Sequence, residues 1–136
     1  MAVVHFVAAL TIPAGTPASA PASQALVTAP GVAKFLRLYV PPGPRGEVAL
    51  YLQHQERRVA PVPPATWDGL DDDVVEYPLD LPLAFGATRF TLCGYSPTAS
   101  FQHIISFEIH VDTTPSVMTP ASTQSLLSRL AGVLGI

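Results

Sequence analysis

Residues 101–111 read FQHIISFEIHV. Taking every second side chain, Phe101, His103, Ile105, Phe107, Ile109 and Val111 fall on one face, apolar apart from the histidine, which is the period of a strand with one side buried. Branched and aromatic residues suit that pleated, half-buried surface. The length of the run predicts a central strand. Upstream, Thr88 to Tyr95 forms another apolar run, separated from the first by Ser96-Pro97-Thr98. Further back, Ala33 to Val40 alternates Leu36, Leu38 and Val40 against Phe35, Arg37 and Tyr39, and Glu47 to Gln53 alternates Val48, Leu50 and Leu52 against Ala49, Tyr51 and Gln53. The intervening PPGPRG is turn chemistry, so these two runs predict a β-hairpin.

The remaining chain is punctuated in the same way, with 15 Pro and 9 Gly spread between short apolar runs, a distribution that favours strands and turns over helices. Val4 to Ile12 reads as a first strand or extended arm. PAGTPASAPAS after it has little to bury and a polyproline-like tendency, so it reads as a linker or strap. Val59 to Val62, hemmed in by prolines, fits only a sheet edge because proline has no ladder donor. WDGLDDDVVEYPLDLPL, residues 67–83, gathers most of the acidic charge and reads as a long surface loop beside a weak strand. Near the C-terminus Thr119 can cap a helix that opens on Pro120 and repeats Leu126, Leu127, Leu130, Val133 and Leu134 at helical spacing. So short a helix needs a surface to dock on.

The expected fold is therefore all-β: an antiparallel, jelly-roll-like β-sandwich with an extended N-terminal arm and a short C-terminal amphipathic helix. Residues 1–30 form the arm and strap, 31–114 the sandwich core and 115–136 the linker and helix. At 136 residues the chain builds one core. Charged residues are only 12% of it against 49% apolar, which leaves apolar surface for a neighbour to cover. A net charge of −3 with only Arg57 and Arg58 adjacent excludes a phosphate-binding groove, so no nucleic-acid partner is expected. The apolar start has no Lys or Arg before it and is broken by Pro13 and Gly15, unlike a secretory signal, and no run is long enough to span a bilayer. Neither a leader nor a membrane partner is expected.

Chemistry is sparse. His5, His54, His103 and His110 lack the short spacings of structural zinc sites. His103, on the apolar face of its strand, reads as a hydrogen-bonded buried histidine, with His110 pointing to the other side. The lone Cys93 reads as a small strand hydrophobe. No nucleophile elbow, phosphate loop, dinucleotide fingerprint or zinc-protease motif occurs, so neither enzyme activity nor a cofactor is expected. Asp68, Asp71, Asp72 and Asp73 offer hard oxygen ligands of the kind calcium takes, but without EF-hand spacing; they read as a solvated or partner-facing loop first and a metal site second. Trp67 reads as a core or interface anchor.

The succession IPAGTPASAP, LRLYVPPGPRGEVALYL, Trp67-x-x-x-Asp71-Asp72 and LCGYSPTASFQHIISFEIHV, about residues 11 to 112, resembles small β-sandwich virion structural proteins of tailed phages and prophages. Pro41, Pro42, Gly43, Trp67, Asp71, Asp72, Tyr95 and His103 carry the likeness. These are mainly turn and core positions. The resemblance implies a decoration, collar or head-tail adaptor protein located in the virion, assembled in the host cytoplasm, and without enzyme activity. Its expected partners are its own copies, as a ring or trimer, and major capsid, portal or tail proteins. Val4, Phe6, Leu10, Ile12, Trp67, Leu126, Leu127, Leu130, Val133 and Leu134 are the expected contact residues. The alternative reading is a carbohydrate- or receptor-binding module assisted by calcium on the acidic loop.

Overall fold

A computed structural model describes residues 3–43 and 47–113. The leucine-rich segment expected to form a C-terminal helix, Leu126 to Leu134, lies outside the described residues. Among the described residues eight strands follow in chain order: β1 (Val3–Ile12), β2 (Ala22–Val27), β3 (Gly31–Val40), β4 (Ala49–His54), β5 (Arg57–Ala60), β6 (Asp73–Leu83), β7 (Arg89–Tyr95) and β8 (His103–Asp112). They make two antiparallel four-stranded sheets, one ordered β1-β8-β3-β6 and the other β2-β7-β4-β5. The arrangement is all-β and sandwich-like.

Alternation builds the core. Leu10 and Ile12 of β1, Leu36, Leu38 and Val40 of β3, and Ile105, Phe107, Ile109 and Val111 of β8 meet Val48, Leu50, Leu52, Phe90 and Leu92 from the other sheet in one buried cluster. β8 is central, as its length predicts, pairing with β1 along its full extent and with β3 on the other side. Phe101 does not join this face; it precedes the strand and is three-quarters exposed.

Three expectations change. The segments 33–40 and 47–53 are not a hairpin, because β3 lies in one sheet and β4 in the other. Both present a leucine face, and the lowest-energy way to cover two such faces is to set them against each other across the core rather than side by side. Pro41 and Pro42, which have no N–H to donate, end the ladder where the chain crosses over. Next, the weak strand expected beside the 67–83 loop takes up all of residues 73–83 as β6, among the longest strands, paired with β3 from Asp73–Val40 to Leu83–Gly31. Val75, Tyr77, Leu79, Leu81 and Leu83 point inward, whereas Val74, Glu76, Pro78, Asp80 and Pro82 point out, a placement that prolines tolerate on an edge. Lastly, the strap is a pair of turns followed by β2, an edge strand on β7 whose Ala22 and Leu26 pack on the core.

A bulge at Lys34 sets the orientation of β3. Ala33 pairs with Val111 and Phe35 with His110, leaving Lys34 as the extra residue. Ala33 and Leu36 can therefore both face inward while Phe35, Arg37 and Tyr39 lie on the outer face.

Candidate functional site

The outer face of the first sheet holds a polar cluster in register across its strands. One row runs His5, His110, Phe35, Pro78; the next runs Val7, Glu108, Arg37, Glu76. Side chains directly opposite on neighbouring antiparallel strands are close enough to interact, and here they do. The His110 ring is 4% exposed. It is stacked by the His5 ring at 3.7 Å between centroids and 27° between planes, and flanked on its other side by Phe35 at 4.2 Å. His110 Nε2 lies 2.8 Å from Glu108 Oε1, two residues earlier on the same face. Arg37 donates from Nε to Glu76 Oε2 at 2.9 Å, with Nη2 of the same guanidinium 2.6 Å from that oxygen. Its Nη1 reaches the Tyr39 hydroxyl at 3.4 Å. The hydrogen bond from His110, helped by Tyr39 and Arg37, holds the Glu108 carboxyl below the usual carboxylate range against the opposing effect of burial.

Among the described residues, His5, Glu108 and His110 are the one group of three His, Cys, Asp or Glu side chains whose ligand atoms lie within 4.8 Å of one another. Sequence spacing missed it because His5 and His110 sit at opposite ends of the chain and meet only through β1–β8 pairing. The signal that was present is the Glu108-x-His110 step, which puts a carboxylate and an imidazole on one face of a strand.

The acidic loop is differently employed. Asp71 Oδ1 accepts from the Gly43 N–H at 2.9 Å, Asp73 Oδ2 accepts from the Asp71 N–H at 2.8 Å, and the Asp72 N–H donates to Pro41 O at 3.3 Å. Asp72 sits at φ +53, which Asp tolerates better than most residues. Pro41, Gly43, Asp71 and Asp72 thus meet as one structural clasp at the start of β6. Asp68, exposed, stands apart from it.

The other expected contact residues divide. Leu10 and Ile12, 1% and 0% exposed, are committed to the molecule's own core and present nothing to a partner, because the inward face of β1 closes the sandwich. Val4 and Phe6 lie toward the open end of that face, Val4 41% exposed and Phe6 half-buried. Trp67 is half-buried, exchanges two 2.8 Å backbone hydrogen bonds with Leu50 and meets the Tyr77 ring edge-on at 5.5 Å, so it anchors its own loop. His103 was expected to be hydrogen-bonded, yet its Nε2 is buried without a partner; His110 is the buried, bonded histidine instead. Cys93 is buried, and that burial pushes its thiol up, as it does the neighbouring Tyr51 hydroxyl.

No protein-family model and no curated protein sequence matches the chain.

The edges of the two sheets are unequally guarded. β6 carries Glu76, Pro78, Asp80 and Pro82, and β5 carries Arg57 and Arg58. By contrast β1, ten residues long, and β2 contain neither a charge nor a proline, and no Asp, Glu, Lys or Arg precedes Lys34 anywhere in the chain. β1 and β2 contact each other, so the two bare edges share one side of the molecule. Val3, Val4 and Val7 are exposed there.

Proposed function

We propose that this chain is a jelly-roll structural subunit of a tailed-phage virion, one that oligomerises as a ring or trimer and attaches to the capsid or neck. Three things support the reading. The strand orders β1-β8-β3-β6 and β2-β7-β4-β5 fit an eight-stranded jelly roll, an architecture common in viral shells and in lectins. The residues that carry the resemblance to virion proteins are turn and core residues, and four of them form the clasp between the 41–43 turn and β6. The thiol of Cys93, buried and held protonated, is unsuited to nucleophilic work.

The observation that carries the proposal is the uncharged side made by β1 and β2. A long edge strand exposes a row of unpaired N–H and C=O groups and templates aggregation unless charge, proline or a covering element blunts it. Among the described residues the far edges have such guards and the near ones do not, so the near side is the one that a sister copy or virion neighbour covers.

Light scattering of the full chain tests this. The wild type should be a multimer, and Val7→Lys, which places a cation on the bare edge, should release folded monomers. A wild type that stays monomeric at high concentration overturns the proposal, as does failure of an antibody against the chain to label purified particles.

A further inference from the structure

We infer that His5, Glu108 and His110 form a binding site for one first-row divalent transition ion, with Zn²⁺ as the representative. Two imidazole nitrogens and a carboxylate oxygen are the donors such ions select, whereas calcium and magnesium favour sets made of oxygen alone. The three ligand atoms already lie within 4.8 Å of one another, and His110 Nε2 and Glu108 Oε1 are 2.8 Å apart. Around a tetrahedral zinc, with bonds of about 2.0–2.2 Å, neighbouring donors stand roughly 3.4 Å apart. Admitting the ion therefore opens the His110–Glu108 contact by about half an ångström and draws the His5 ring nitrogen inward by up to roughly 1.4 Å, a step that a turn of an exposed imidazole can supply.

The scaffold suits this. Glu108 and His110 project from a central strand hydrogen-bonded on both sides, and His110 is wedged against Phe35, so two of the ligands are held rigidly. His5 sits on the edge strand, exposed and directly opposite His110, and is the ligand free to turn from a stacked to a converging orientation. Three protein ligands leave a fourth position for water, the composition of an open rather than a closed site. The inference is independent of the virion reading, since it needs only the β1–β8 register.

The test uses the full chain with no histidine tag, stripped with chelator and titrated with ZnCl₂ in a calorimeter. One equivalent should bind. His5→Ala, at an exposed position, and Glu108→Gln should each weaken binding at least about tenfold. His103→Gln, at the far end of β8, should leave it unchanged. Zn²⁺ should raise the melting temperature of the wild type and not of His5→Ala. Co²⁺ should give a visible absorption band that disappears in both ligand variants. Absence of saturable one-to-one binding overturns the inference, and so does binding that survives His5→Ala or is lost in His103→Gln. Circular dichroism of each variant separates loss of ligand from loss of fold.

Discussion

Truncating Ile12 distinguishes a strand built into the sandwich from an arm that reaches out to a neighbour. Ile12 is 0% exposed, and its side chain lies against β7 at Gly94, where a Cβ would meet Ile12 Cδ1 at 2.7 Å and Leu50 Cδ2 at 2.8 Å. Ile12→Ala should then cost about 2–5 kcal/mol, the transfer energy of the lost methyl groups plus the cavity left behind. For a domain of this size that is a fall in melting temperature of roughly 8–20 °C. Gly94→Ala overfills the same space and should cost about 1–3 kcal/mol, since the atoms it strikes are the ends of flexible side chains. Because the two changes err in opposite directions at one spot, the double variant should lose at least about 0.5 kcal/mol less than the sum of the singles. Urea denaturation followed by tryptophan fluorescence at Trp67 and by circular dichroism measures all three. If Ile12→Ala costs under about 1 kcal/mol, or the pair is additive, β1 is not packed as described.

Gly31→Ala should destabilise by about 2–3 kcal/mol or more, because φ there is +145 and the new Cβ would press on the Asp112 backbone carbonyl, which cannot rotate away; a melting curve within a degree or so of wild type would contradict this. Asp71→Ala removes the acceptor of the Gly43 N–H and should cost roughly 0.5–1.5 kcal/mol in urea denaturation, while millimolar Ca²⁺ should leave the wild-type melting temperature unchanged; a clear rise with Ca²⁺ would restore the acidic loop as an ion site. Cys93 should resist alkylation at pH 8 until the protein unfolds, and fast labelling of the native state would refute its burial. The fold favours the protonated forms of Cys93 and Tyr51, whose ordinary values are 9.0 and 10.0. Their contribution is therefore whole below pH 9 and lost as pH climbs through their raised values, so the urea midpoint should fall on the alkaline side; a midpoint flat to pH 11 would refute it.

What could be read from the chain was facing, not pairing. In β3, β4 and β8 one side is buried and apolar while the other is mixed and mostly only partly covered, so a period of two is imprinted on the residues and Leu36, Leu50 and Phe107 announce themselves. Which strand lies beside which is decided by contacts between distant residues, and the short Pro-Pro-Gly connection said only that the chain turned. β6 reads as no more than a weak strand beside a loop because an edge strand needs apolar residues on one face alone and tolerates Pro78 and Pro82, which mimic a loop. β2, with Ala, Ser and Gln, packs only Ala22 and Leu26 on the core and so looks like linker. The histidine cluster depends on the β1–β8 register, and a shift of one residue would put His5 on the inner face.

The distribution of charge over the edges also bears on which assembly can form. A β6 edge interrupted by Pro78 and Pro82, next to the acidic turn of Asp71 and Asp72, resists pairing with another copy of itself, and Arg57 and Arg58 do the same for β5. Among the described residues the β1 and β2 side has no such barrier. If β1 paired antiparallel with β1 of a second copy, the contact would be two-fold symmetric and would close at a dimer. A ring or trimer instead requires the bare side to meet a different patch on the next copy, head to tail, with a rotation that closes. Solution mass therefore decides more than association as such. A dimer abolished by Val7→Lys would mean edge-to-edge pairing and no ring, whereas a trimer or larger closed species abolished by the same change would mean that β1 docks on a surface other than itself.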